Sequence, residues 1–186
     1  MPEQPPSQSA TADTAAAAKL LPAESTSTPA VQTPTAILPA AAAELAKRLR
    51  LEPLPHEGGM FRNTLASDVS SAIYYLLTAG DFSALHSLTA AEVYHWYAGD
   101  PLELLVLLPD GNGYTTVVGD PLAGFEPQTV IPADAIHGSR SRGSWTLVGT
   151  TMAPAFSWEG FALIDRATAL TQYPEFAELI TALTRH

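Results

Sequence analysis

GDFSALHSLTAAEVYHWYAG, residues 80–99, is the stretch on which the fold turns. It opens on a Gly-Asp turn, continues as a short apolar run from Ser83 to Leu88, and then gives an aromatic run, EVYHWY, from Glu92 to Tyr97 that stops at Gly99-Asp100-Pro101. Two short runs bounded by turn formers read as β-strands, too brief for helices and too rich in aromatic residues for loops. His86 and Glu92 stand six positions apart, and the short Leu88-Thr89-Ala90-Ala91 segment joins the two runs. This spacing predicts neighbouring antiparallel strands that aim both side chains into one interior. Alternation along the second run puts Glu92, Tyr94 and Trp96 on one face and His95 on the other.

The same texture extends in both directions. Ala72–Leu77 is an apolar strand before the Gly80 turn, and Leu102–Leu108 a second one after Pro101. Asp110-Gly111-Asn112-Gly113 then makes a hairpin turn. Tyr114–Val118, Gln128–Ile131, Trp145–Thr151 and Phe161–Ile164 continue the series, as expected for a barrel or sandwich. Short helices flank it. Ala40–Leu49 is made of good helix formers, with Leu45 and Leu49 on one face and Pro53 as a stop, and Phe176, Leu179, Ile180 and Leu183 recur at helical spacing after Pro174. Residues 1–36 consist largely of Ala, Pro, Ser, Thr and Gln with no aromatic residue, so they are expected to form a disordered tail to a single domain spanning 37–186.

Charge narrows the partners. The formal net charge is -10 and no cluster of Lys or Arg occurs, so the phosphate neutralisation behind nucleic-acid binding has no source. An acidic chain without a run of ~20 apolar residues is expected neither on nor across a membrane. No cysteine is present, which removes disulfides, thiolate nucleophiles and Cys-ligated metals. The first residues lack a sustained apolar segment, and a soluble, cytoplasmic protein is expected.

Gly80, His86, Glu92 and Gly99 fall in the register of the first cupin motif, except that Leu88 stands where a second histidine is usual. Gly124, Pro132 and His137 resemble the second motif, with Asp134 at a position usually held by glycine. PHEGGMFRNT (55–64), SAIYYLLTAGDFSALH (71–86), EVYHWYAGDPLELLVL (92–107), PQTVIPADAIHGSR (127–140) and LVGTTMAPAFSWEGFAL (147–163) together resemble a branch of single-domain cupins whose biochemical role is generally unassigned. The resemblance implies an all-β fold: a cupin double-stranded β-helix, or jelly-roll barrel, with a small-molecule ligand inside and frequent homodimerisation. It implies no particular reaction, because the fold hosts catalysts and inert binders alike.

His86, Glu92 and His137 would supply two imidazoles and a carboxylate, a set suited to one divalent ion of Fe, Mn, Ni or Zn. Leu88 weakens chelation, and the branch resembled does not carry a full ligand set, which favours a metal-free pocket. There His86 is the acid/base candidate and Glu92 orients it; a purely structural polar pair is the alternative. Tyr94 and Trp96 would stack on a ligand or simply pack the core. Arg62 would select a carboxylate or phosphate from within the pocket, or form a salt bridge at its rim. An inward Gln128 would fix ligand orientation, and Glu57-Gly58-Gly59 is most simply a turn. Three functions follow: an isomerase- or epimerase-like enzyme of a small polar metabolite, a non-catalytic binding or sensing module, and a metal-dependent oxidoreductase.

Overall fold

Eleven strands and three helices appear in a computed structural model of the chain, which describes residues 38–185; the tail expected over 1–36 lies outside the described residues. The strands are β1 (Glu52–Pro53), β2 (Met60–Ala66), β3 (Ser71–Thr78), β4 (Phe82–Leu88), β5 (Glu92–Gly99), β6 (Leu102–Leu107), β7 (Gly113–Val118), β8 (Gln128–Ile131), β9 (Ile136–Ser141), β10 (Trp145–Met152) and β11 (Phe161–Leu163). They form two sheets, ordered β1-β2-β3-β10-β5-β8 and β11-β4-β9-β6-β7, in which every strand pairing is antiparallel. The result is a jelly-roll of the cupin type.

One expectation about the central stretch is corrected. β4 and β5 are not neighbours: β4 pairs with β9 and β11, and β5 with β10 and β8. Thr89-Ala90-Ala91 carries the chain from one sheet to the other. The connection contains none of the Gly, Asn or Asp residues that tight hairpins need for their positive φ, so it does not fold the two strands back on each other. His86 and Glu92 therefore face each other from opposite sheets, and the strand neighbour of His86 is His137.

The outer face of each sheet receives helices. α1 (Ala40–Leu49) lays Ala42, Ala46, Leu45 and Leu49 against Leu76, Leu147 and Trp145 of the first sheet. α2 (Arg166–Gln172) and α3 (Ala177–Ala182) cover Leu85, Leu105 and Leu107 of the second, with Tyr173, Ile180 and Leu183 as buried anchors. This explains LELLVL in β6, which shows little alternation because both faces are covered: Leu102, Leu104 and Val106 point into the sandwich, Leu105 and Leu107 toward the helices. Between the sheets one half is solid, built from Leu77, Leu102, Leu104, Val118, Ile131 and Val148. The other half is hollow. Among the described residues no helix is long and apolar enough to cross a membrane.

Candidate functional site

The hollow half is a cavity of about 280 Å³. Its polar end is made by Glu57, Tyr75, His86, Glu92, Tyr94 and Thr150, and its apolar wall by Leu54, Phe61, Ile73, Leu88 and Met152. Phe156, Trp158 and Phe161 pack edge to face at ring separations of 5.1–6.1 Å, and Phe156 and Trp158 reach the solvent rim.

His86 is the central polar residue. It is 2% exposed, and its Nδ1–H donates to the Ala84 carbonyl at 2.8 Å, which leaves Nε2 as an acceptor. Its ring stacks on Phe161 at 5.3 Å and sits 4.2 Å from the ring of His137, the residue opposite it across β4 and β9. Burial pushes the His86 pKa below its ordinary 6.5 against the pull of Glu57, so the imidazole is neutral at pH 7. Glu92 comes from the other sheet, and its Oε2 lies 2.9 Å from Nε2 of His137. Burial alone would raise the Glu92 pKa; the bond to His137, the charges of His137 and His86 and the Thr150 hydroxyl together outweigh it and hold the group below 4.5, so it is a carboxylate. Burial, reinforced by the neighbouring carboxylates, pushes the phenols of Tyr75 and Tyr94 well above 10, and both remain donors.

Glu57 is the residue whose role the sequence did not reveal. It reaches the cavity from the loop between β1 and β2, where the Ser83 hydroxyl donates to its Oε1 at 2.6 Å. The loop has positive φ at His56, Gly58 and Gly59. Several bonds hold it there: Tyr75 OH donates to the Gly58 carbonyl (2.9 Å), the Gly59 N–H to Asp81 Oδ2 (2.7 Å), and the Ala84 N–H to the Glu57 carbonyl (2.9 Å). Arg185, stacked over the Phe82 ring, also donates to the Glu57 carbonyl and to Asp81. A backbone in sparsely populated conformations that is fixed from so many sides is typical of a functional loop.

The residues singled out from sequence divide sharply. His86, Glu92 and Tyr94 line the cavity, and His137 lies behind Glu92, touching it. The remaining three do not reach it. Phe61 and Asn63 line the cavity, so the intervening Arg62 points to the opposite face of β2, over the Tyr74 ring at 5.2 Å. Trp96 packs against the solid half and donates its indole N–H to the Asp100 carbonyl (3.3 Å). Gln128 is exposed and pairs in register with His95, which takes the outer face as its parity predicts and bonds Thr151. Apart from Glu57, the sequence reading missed Tyr75, Ser83, Thr150 and the rim rings Phe156, Trp158 and Phe161. The signal for the rim was the aromatic density of Phe156-Ser157-Trp158-Glu159-Gly160-Phe161, which has no strand period.

His86, Glu92 and His137 also form the one buried set in which three metal-ligating atoms converge among the described residues, all lying within 4.8 Å of one another. Two imidazoles and a carboxylate fit a divalent transition metal, and the Ala84 carbonyl on His86 Nδ1 is the kind of outer partner that orients a metal-binding imidazole. Asp134, at the usual glycine position of the turn before β9, has φ 63, a left-handed conformation that Asp tolerates better than most side chains.

Comparison with known proteins agrees with this architecture. A family described as Cupin superfamily (DUF985) matches residues 43–164. A protein of Shewanella oneidensis has 32% identity, with 77% of this chain and 97% of that one covered and a TM-score of 0.72. A hypothetical protein from Leishmania major has 27% identity, with 78% and 99% covered and a TM-score of 0.72. An oxalate decarboxylase variant of Bacillus subtilis, 14% identical over 72% of this chain and 37% of its own, has a TM-score of 0.51, a likeness of fold alone. No curated protein matches the chain.

Proposed function

The chain belongs to the cupin superfamily, in the family DUF985, and from that premise we propose that its cavity binds a small molecule and that His86 exchanges a proton with it. The observation that carries this is the placement of His86: buried on the cavity wall and tied through Nδ1 to a backbone carbonyl, with Nε2 left as an acceptor. A neutral imidazole held in one tautomer is ready to accept a proton at neutral pH. Glu92, with His137 behind it, places negative charge beside the imidazolium that forms. Tyr94 and Thr150 offer hydroxyl donors to a substrate carbonyl oxygen that gains charge as the adjacent carbon loses a proton. Returning the proton to the neighbouring carbon, or to the opposite face of the same one, completes an isomerisation or epimerisation without any further reactant.

The test is solvent-exchange NMR. Ligands found by thermal-shift screening are incubated with the protein in D2O. Deuterium entering the ligand with the parent chain and not with His86→Gln is the expected result. A ligand recovered chemically and isotopically unchanged refutes proton transfer and favours a non-catalytic binder.

The convergence of His86, Glu92 and His137 within 4.8 Å supports a second reading, a divalent ion held by these three side chains. Such an ion would act as a Lewis acid on a substrate oxygen. Leu88 removes the further imidazole that the cupin pattern places there and leaves an apolar wall instead. Elemental analysis and titration with Mn, Fe, Ni and Zn decide it: an ion content well below one per chain that added metal does not raise refutes this reading. Homodimerisation is supported by the face of the first sheet opposite the cavity, where Tyr97 and Val130 are about half exposed, and light scattering checks it.

A further inference from the structure

The charge of the cavity narrows what it takes. Two carboxylates, Glu57 and Glu92, line it, and among the described residues no Lys or Arg does. Glu92 has its partner in His137. The Glu57 carboxylate makes no ion pair among the described residues: Arg185 nearby is directed at Asp81 and at backbone carbonyls, and Ser83 satisfies only Oε1. His86, 2% exposed, presents an acceptor at Nε2. Tyr94 and Thr150 bring neutral hydroxyls to the same wall, so what is left unbalanced is charge: a Glu57 carboxylate without an ion-pair partner among the described residues favours an occupant that carries a positive one. Four aromatic rings, Phe61, Phe156, Trp158 and Phe161, line the same cavity, and such rings hold ammonium groups.

We infer that the cavity selects a small organic cation, a protonated amine or quaternary ammonium compound, with Glu57 as its counter-charge and the aromatic rim around its head. The inference rests on the proposal that the cavity is a ligand site, and it adds the ligand class. Carboxylated and phosphorylated molecules are disfavoured because they would add a third negative charge to a cavity that no Lys or Arg lines among the described residues. The strained loop at 56–59 then has a purpose, since it brings to the cavity a carboxylate that no ion pair among the described residues neutralises.

The experiment is calorimetric titration of the full chain, in the presence of a chelator, with three probes of similar shape: choline, its neutral carbon isostere dimethylbutanol, and trimethylacetate. Choline is expected to bind about tenfold more tightly than dimethylbutanol, with trimethylacetate weakest. In Glu57→Gln the preference for choline should fall to about threefold or less, the share the aromatic rings supply. Because that change touches a braced loop, Trp158→Ala serves as the second variant. At 60% exposure its loss should leave Tm unchanged while weakening choline more than dimethylbutanol. Equal binding of choline and dimethylbutanol, preference for trimethylacetate, or no binding of choline overturns the inference. Preference for either other probe leaves the cavity a ligand site, and the proton-transfer reading is judged separately by deuterium exchange with His86→Gln.

Discussion

Replacing Gly59 by alanine probes the loop that delivers Glu57. Gly59 has φ +71, where an L side chain costs about 1–2 kcal/mol. A Cβ there would stand 2.7 Å from Cε2 of Tyr75 and 2.8 Å from Cδ2 of Leu77. Both neighbours are fully packed, at 1% and 0% exposure, so neither ring nor methyl can swing into solvent. Overpacking of that kind costs about 1–3 kcal/mol, and the two effects together come to about 2–5 kcal/mol. That is a large share of the roughly 5–15 kcal/mol that holds a domain folded, and a Tm loss of about 5–20 °C is expected. Gly80→Ala is the control: φ is +83 and nothing lies within 4 Å of the added carbon, so only the backbone cost applies. Urea denaturation of both variants separates conformation from collision. A Gly59→Ala loss within about 0.5 kcal/mol of the Gly80→Ala loss refutes the claim that Tyr75 and Leu77 are immobile. Because Tyr75 OH also holds the Gly58 carbonyl, Gly59→Ala should weaken ligand binding while Gly80→Ala should not.

Other outcomes follow from the site. Burial holds His86 below 6.5, and His137 with His86 and Thr150 holds Glu92 below 4.5 against its burial, so in each case the unfolded chain takes up protons that the folded chain refuses. Stability should be complete above about pH 6.5, fall as His86 is titrated, and fall further below about pH 4.5; urea midpoints that rise on acidification through this window contradict it. Arg62→Ala should leave ligand affinity unchanged, because the side chain lies over Tyr74 on the far face of β2, and a loss above about tenfold by calorimetry would return Arg62 to the pocket. Leu88→His places an imidazole on the cavity wall two residues from His86 and should tighten Mn or Zn binding by about tenfold or more; unchanged affinity would mean that position 88 does not face the His86, Glu92 and His137 donors.

Most strands were legible because their local chemistry agreed with their final state. EVYHWY and AIYYLL carry β-branched and aromatic residues between turn formers, and the spacing of His86, Glu92 and His137 pointed to one shared interior. β9 escaped notice because Ile136-His137-Gly138-Ser139-Arg140-Ser141 has one aliphatic residue, and its burial comes from neighbours on both sides. β2 escaped for a similar reason, since Arg62, Asn63 and Thr64 dilute its apolar character. α2 is seven residues long and begins at the Asp165 cap, too short to show a helical period. Parity placed Tyr94 and His95 correctly, but it does not say where along the sandwich the solid core ends and the cavity begins. That boundary excluded Trp96. Gln128 shows a different limit: alternation separates two faces without naming the inner one. Glu57 was invisible as a site residue because its position depends on Ser83, Tyr75 and Asp81, all at least 18 residues away in a loop read only as a turn.

The passage of Thr89–Ala91 between sheets makes the cavity a joint between two plates. His86 and His137 ride on one plate, and Glu92, Tyr94 and Thr150 on the other. An occupant that touches both therefore works as a rivet. At a hundred times its dissociation constant it would add about 2.7 kcal/mol to the free energy needed to pull the plates apart. Amide exchange in β4, β9, β5 and β10 should then slow together when the cavity is filled, tying occupancy to the cohesion of the whole barrel.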